Sequence, residues 1–270
     1  MSAPGAAEAV AAELVAARRD GRALRGFPGT APADMVEAYR IQDAAIASWS
    51  DELIGWKIGF IAPDRRSPGD PDRLIGPIWR RGHRLSDGRP VEAEIFGDGF
   101  AAVEAEFVVR LAQDLPVRED AWTGTEAAGL DQQLLVGIEV ASSPIPDINA
   151  LGPAVIAADF GNNNGLLLGP ELAGAAGVEL ACLVDGELVG EGTAANLPGG
   201  LHHGLATALN LLIERGHGVR AGTVFATGAI TGIHEIRPGQ QCRVEVRGGS
   251  SNHEGPSLEL RTVDVRSTIG

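Results

Sequence analysis

The spacing of apolar residues divides the chain into a helical beginning and a strand-rich remainder. Between Ala6 and Arg19, Val10, Leu14 and Ala17 recur at helical spacing among charged residues, and Asp20-Gly21 ends the pattern. After a turn-rich stretch from Gly26 to Pro32, Val36, Tyr39, Ile41 and Ile46 alternate with Glu37, Arg40 and Asp43, which predicts a second helix. Beyond Glu52 the period shortens. Apolar runs bounded by Gly, Pro and Asp at 53–62, 91–96, 103–111, 134–142, 166–169, 178–192, 223–228 and 242–248 read as strands. Asp185-Gly186 is a hairpin signal, and Pro198-Gly199-Gly200 opens a late helix that carries Leu205, Leu209, Leu212 and Ile213 and ends at Gly216. The stretch 248–257 has the composition of a solvated loop between the last two strands. The pattern predicts an α+β organisation: a small helical segment over 1–50 and a mixed, β-rich domain over 51–270.

Charge narrows the possible partners. The 36 acidic and 22 basic residues leave a formal charge of −14, which opposes nucleic-acid binding because that rests on phosphate neutralisation. A hydrophobic share of 44% is enough for a buried core. Cys182 and Cys242 are too few for a disulfide scaffold and form no zinc-type pair, so a reduced, cytoplasmic setting fits. The alanine-rich start carries Glu8 and Glu13 and no basic leader, against a signal peptide, and no run reaches the ~18 apolar residues of a membrane span.

Three places in the strands carry candidate chemistry. In 103–111, Glu104 and Glu106 alternate with apolar residues and share one strand face, where two carboxylates can hold a divalent cation. An ordinary solvent-facing surface gives the same alternation, and Glu92 with Glu94 has the same spacing. Glu139 stands among Leu134, Val136, Ile138 and Val140; burying it ionised and unpaired is costly, so it is protonated, hydrogen-bonded or metal-bound. Lys57 lies among apolar residues and glycines, with Gly55 and Gly59 on its own face leaving room for a ligand. A snorkelling edge lysine is the bland alternative. The string Gly97-Asp98-Gly99-Phe100-Ala101-Ala102 is an isolated dinucleotide-like match without repeated βαβ units. His202-His203 reads as a capping or packing pair, and neither a nucleophile elbow nor a P-loop is present.

Together, Gly55-Trp56-Lys57-Ile58-Gly59, Glu104-Ala105-Glu106, Glu139, 158–170 (ADFGNNNGLLLGP) and 221–232 (AGTVFATGAITG) resemble the 2-keto-4-pentenoate hydratase and 2-oxo-acid (4-oxalocrotonate) decarboxylase group of the fumarylacetoacetase-like superfamily. The resemblance runs from the first helix to about Val265 and implies a catalytic domain of that fold over 51–270. It also implies Mg²⁺ or Mn²⁺ held by Glu104, Glu106 and Glu139, in preference to Glu92 and Glu94, with Lys57 as the proton-transfer residue. Asn162, Asn163, Thr227 and Phe60 become candidates for substrate contacts, and a homo-oligomer is expected.

The implied activity is that of a metal-dependent lyase acting on a small 2-oxo or 2-hydroxydienoic acid. Hydration to a 4-hydroxy-2-oxo acid is expected first, then decarboxylation of a 2-oxo-enedioate, then acylpyruvate hydrolysis, then an inactive assembly subunit. The chain departs from the family pattern at several places. Phe60-Ile61-Ala62 replaces Leu-Thr-Ser, Leu74 stands where hydratases carry an acid, with Asp72 two positions away, and Asn162-Asn163 replaces a serine pair. Gly199-Gly200-Leu201-His202-His203 replaces Gly-Asn-Pro-Leu-Asn, which gives the histidine pair more interest. The metal chemistry reads as retained and substrate recognition as altered.

Overall fold

The computed structural model describes residues 5–116, 118–248 and 255–268; most of the expected loop, at 249–254, lies outside the described residues. Helices α1 (Ala6–Arg19) and α2 (Met35–Ser48) lead into strands β1 (Leu53–Phe60), β2 (Arg73–Trp79), β3 (His83–Leu85), β4 (Val91–Ile95) and β5 (Phe100–Leu111). The short helix α3 (Gly124–Ala128), strand β6 (Gln132–Ser143), helices α4 (Ile148–Leu151) and α5 (Pro153–Ala158) and strand β7 (Asn163–Leu172) follow. Then come β8 (Val178–Val184), β9 (Glu187–Thr193), helix α6 (Leu201–Glu214), β10 (Val224–Ala226), β11 (His234–Glu235), β12 (Gln241–Gly248) and β13 (Ser257–Asp264). The strands make two sheets, ordered β2-β1-β10-β5-β6-β7-β3 with β11 also on β5, and β4-β13-β12-β8-β9. The α+β, β-rich organisation read from the sequence is the one observed.

Local chemistry explains the ends of these elements. Asp34 caps α2 by accepting from the Glu37 amide at 2.8 Å, while the Glu37 carboxylate accepts from the Ala33 amide at 2.8 Å. The buried stripe of α2 runs through Met35, Ala38, Tyr39, Gln42 and Ala45 and includes Ile41. Val36, expected on that face, is 62% exposed, because the stripe starts one residue earlier, at Met35. Asp185 and Gly186 both have positive φ, at 50° and 84°, which is the twist that joins β8 to β9 as a tight hairpin. Strand β2 escapes the sequence pattern because Pro77 interrupts it. Proline is tolerated there since β2 is the sheet's edge strand.

One apolar cluster joins helices and sheets, with Leu14, Ile41, Ile58, Phe107, Ile138 and Leu260 all buried in it. Each such side chain contributes about 1.5–3 kcal/mol by leaving water. Cys182 and Cys242 are free and buried, their Sγ atoms 3.8 Å apart. Among the described residues, no helix is long and apolar enough to cross a membrane.

Candidate metal centre

Strands β5 and β6 lie side by side in the larger sheet, and nearly every β5 residue is buried, so its alternation does not separate a wet face from a dry one. The solvent-facing alternative for Glu104 and Glu106 is thereby overturned: they are 5% and 0% exposed. The antiparallel register sets Glu104 directly opposite Glu139, and Glu106 opposite Gly137. Opposed residues point to the same side, so two strands deliver all three carboxylates to one place, and Gly137 adds no side chain to crowd them. One oxygen from each of the three lies within 4.8 Å of the other two. Glu92 and Glu94 are exposed on β4, an edge strand of the other sheet.

Three buried carboxylates this close resist ionisation together. Burial, and after it the charge of Glu139, pushes Glu104 up to about 7. Burial, then Glu139 and Glu104, drives Glu106 well above the carboxylate range. Lys57 answers part of that charge: its Nζ lies 3.5 Å from Glu139 Oε1 and donates to Asn162 Oδ1 at 3.2 Å. Burial alone would lower its pKa, but Glu139, Glu104 and Glu106 outweigh burial and raise it, so Lys57 is an ammonium.

Two further donors orient the carboxylates. Asn163 Nδ2 donates to Glu139 Oε1 at 3.0 Å, and the Gly228 amide donates to Glu106 Oε2 at 3.0 Å. Gly228 has φ +114°, a conformation that a side chain would strain. Glu106 Oε1 and Glu139 Oε2 remain buried without any hydrogen-bond partner. Two orphan carboxylate oxygens in an all-oxygen cluster are what a hard divalent cation requires, and the residues present fit one.

The turn bringing Asn162 to Lys57 is unusual. Phe160, Gly161 and Asn162 have φ of 54°, 62° and 57°, and such left-handed non-glycine residues cost about 1–3 kcal/mol each. A buried ion pair braces it from the N-terminal segment. Arg18 Nε meets Asp159 Oδ1 at 2.7 Å, Arg18 also donates to the Asn163 carbonyl at 3.2 Å, and Ser143 Oγ donates to Asp159 Oδ2 at 2.6 Å. Helix α1 thus holds the residues on either side of Asn162.

A cavity of about 290 Å³ opens beside the cluster, with Lys57, Phe60, Arg73, Glu104, Asn162 and Thr227 in its wall. A larger groove of about 680 Å³ runs past Arg19, Trp49, Arg84 and Glu92 and includes neither Lys57 nor the three carboxylates. The smaller cavity is therefore where chemistry can occur. The Phe60 ring forms part of its mouth, 43% exposed, and Thr227 is anchored by donating its hydroxyl to the Phe107 carbonyl at 2.8 Å. Asn163, expected at the substrate, is not in this wall; its amide is used on Glu139. Leu74 does line the cavity, presenting an apolar surface where an acid was expected. His203 Nε2 lies 2.9 Å from Asp72 Oδ2, and His202 Nε2 lies 3.2 Å from Gln132 Nε2.

No protein-family model matches the chain. A 4-oxalocrotonate decarboxylase from a Pseudomonas species is 26% identical over 250 residues, covering 88% of this chain and 93% of that protein. The structure of 4-oxalocrotonate decarboxylase from Pseudomonas putida G7, complexed with magnesium and adipate, matches with a TM-score of 0.77 at 20% identity, over 95% of this chain and 97% of that one. Fumarylpyruvate hydrolase from Pseudomonas aeruginosa, in complex with Mn²⁺ and pyruvate, matches with a TM-score of 0.53 at 14% identity, over 80% and 92%. The fold is fumarylacetoacetase-like. The superfamily read from the sequence is the one these findings support.

Within this fold, sequence reasoning missed Arg18, Asp159 and Arg73. A charge on the inner face of an amphipathic helix carries no local sign that it is buried, and Arg73 sits in the strand that Pro77 conceals. The signal that was available is the polar interruption of an apolar stretch, Asp72-Arg73 before Leu74-Ile75.

Proposed function

We propose that the chain is a divalent-metal-dependent lyase that removes CO₂ from a 2-oxo-enedioate, with Glu104, Glu106 and Glu139 as the ligands of Mg²⁺ or Mn²⁺ and Lys57 as the proton-transfer residue. The observation that carries this reading is the buried carboxylate triad with two unpartnered oxygens beside a buried ammonium. Hydration, placed first by the sequence, moves to second: Leu74 lines the cavity where hydration would use an acid, and the relatives matched along nearly the whole chain are decarboxylases by name.

A cation held at the triad would supply Lewis acidity toward the substrate's carboxylate and 2-oxo oxygens. The bond from C5 to the terminal carboxylate carbon breaks, CO₂ departs, and the electron pair runs through the conjugated chain to the 2-oxygen. The charged Nζ of Lys57 gives that oxygen a proton, yielding a 2-hydroxydienoate, and Lys57 recovers its proton from solvent at the cavity mouth. Asn162 fixes Lys57 by accepting from Nζ, and Asn163 fixes Glu139. Burial of all these groups keeps water away and strengthens their fields.

The test follows CO₂ release from 2-oxohex-3-enedioate by the Mg²⁺-loaded protein, alongside water addition to 2-hydroxypenta-2,4-dienoate. CO₂ release that EDTA abolishes supports the reading; water addition without CO₂ release would restore hydration to first place, and neither reaction would return the chain to the assembly-subunit alternative. We further propose a cytoplasmic homo-oligomer on the strength of the resemblance, and light scattering in solution checks the assembly.

A further inference from the structure

We propose that Arg73 is a specificity residue that receives the distal carboxylate of a dicarboxylic 2-oxo acid. This rests on the site reading above, in which the proximal end of the substrate lies at the carboxylate triad. Arg73 is 2% exposed, yet it forms part of the cavity wall. The β1–β2 register pairs Lys57 with Gly76 and Phe60 with Arg73, so Arg73 lies three residues along the strand from the lysine. Three residues is an odd number of steps, so by strand alternation the two side chains leave opposite faces, and what brings them together is the cavity wall that both line.

The guanidinium is placed and oriented before any ligand arrives. It packs over the Phe60 ring, 4.7 Å from the centroid, and donates to the Asp72 carbonyl at 3.0 Å and to the Pro198 carbonyl. Asp72 Oδ2 pairs with it at 3.0 Å but is shared with His203 at 2.9 Å. Of the five N–H donors a guanidinium carries, these contacts occupy three. A second cation, Arg66, repels it, and the Nε of Arg66 is buried without an acceptor. Arg66 acts from outside the cavity wall, and at the wall itself one aspartate shared with His203 leaves the Arg73 guanidinium with N–H donors to spare, the condition a carboxylate relieves.

Discrimination follows from the same inventory. A monocarboxylic 2-oxo acid would place its alkyl end against a buried guanidinium with spare donors, and such a site rejects the analogue lacking the polar group. If the distal carboxylate is the one lost as CO₂, its charge fades along the reaction. Arg73 then acts on affinity and selection, and its loss raises KM while kcat is kept or rises.

The experiment is calorimetric titration of the Mg²⁺-loaded full chain with 2-oxohexanedioate, 2-oxohexanoate and oxalate. The wild type is expected to prefer the diacid by at least about tenfold, equivalent to 1.4 kcal/mol. Arg73→Met should bring the two oxo acids within about twofold while leaving oxalate affinity unchanged, and Arg73→Lys should keep part of the preference. Equal binding of the two oxo acids by the wild type overturns the proposal and needs no variant. So does a preference that survives Arg73→Met. If that variant does not fold, an undiminished preference in Arg73→Lys, which lacks the fork, counts against it. Failure of the metal-site reading looks different: oxalate would not bind the Mg²⁺-loaded wild type.

Discussion

Stripped of metal, the protein is expected to lose stability as the pH rises, opposite to the usual behaviour of paired carboxylates. Glu104 titrates at about 7 in the folded chain against an ordinary 4.5, because burial and Glu139 disfavour its charge. A carboxylate whose folded pKa is raised contributes stability that is fully present below its unfolded pKa and lost as the pH climbs through the folded one. The 2.5-unit difference amounts to about 3 kcal/mol, of which about 2 kcal/mol falls between pH 5.5 and 8. Glu106 shifts in the same direction and adds to the loss. Burial lowers the pKa of His83, which works the other way near neutrality, so a variant is needed as reference. The assay is urea unfolding of EDTA-treated wild type and Glu104→Gln at pH 5.5 and pH 8. Relative to the variant, the wild type should lose about 2 kcal/mol across that interval, a midpoint shift of about 0.7 M at a urea slope near 3 kcal/mol/M. Saturating Mg²⁺ at pH 8 should raise the wild-type midpoint and leave the variant unchanged. Parallel pH profiles for the two proteins would refute the reasoning.

Four other outcomes are open to direct measurement. Glu106→Gln should abolish Mg²⁺ binding in calorimetry, and tight binding by that variant would remove Glu106 from the ligand set. Lys57→Ala should retain Mg²⁺ while turnover drops by about 10²–10⁴-fold, the usual scale for a proton-transfer group, as followed by CO₂ release. Asn163→Ala should weaken Mg²⁺ by about 10–100-fold through the freed Glu139 carboxylate, whereas an unchanged affinity would make that hydrogen bond incidental. Arg18→Met leaves Asp159 buried and uncompensated and should destabilise the chain by about 3–5 kcal/mol in denaturant titration.

What was legible in the sequence depended on whether a residue's neighbours along the chain reveal its neighbours in space. Glu139 stood out because every adjacent position in its strand is apolar, and Lys57 because glycines flank it on its own face. Between Glu104-Glu106 and Glu92-Glu94, local pattern could not choose, since spacing is identical and only cross-strand register separates them. The resemblance chose the pair that the register then set against Glu139. Strand β2 was hidden by Pro77, and the short helices α3, α4 and α5 are too brief for a period to emerge. Arg18 and Asp159 meet across 141 residues and Arg73 reaches the Pro198 carbonyl, separations that a linear pattern does not encode.

Strand β5 is paired on one edge by two short pieces, β10 beside Val108–Arg110 and β11 beside Ala102–Val103. Between them the chain leaves the regular ladder, bonding to Phe107 through the Thr227 amide and to Ala105 through that of Ile230. Thr227, Gly228, Ala229 and Ile233 from this detour form one wall of the cavity. The carboxylates belong to continuous strands, whereas this wall belongs to a segment pinned at both ends and free of strand geometry in the middle. Evolution, or an engineer, can therefore exchange Ala229 and Ile233, the cavity-lining positions of the detour beyond Gly228, to admit a different acid while the cation-holding strands stay as they are. Beside Arg73, these loop positions let substrate range be adjusted in small steps, on a scaffold whose chemistry is held constant.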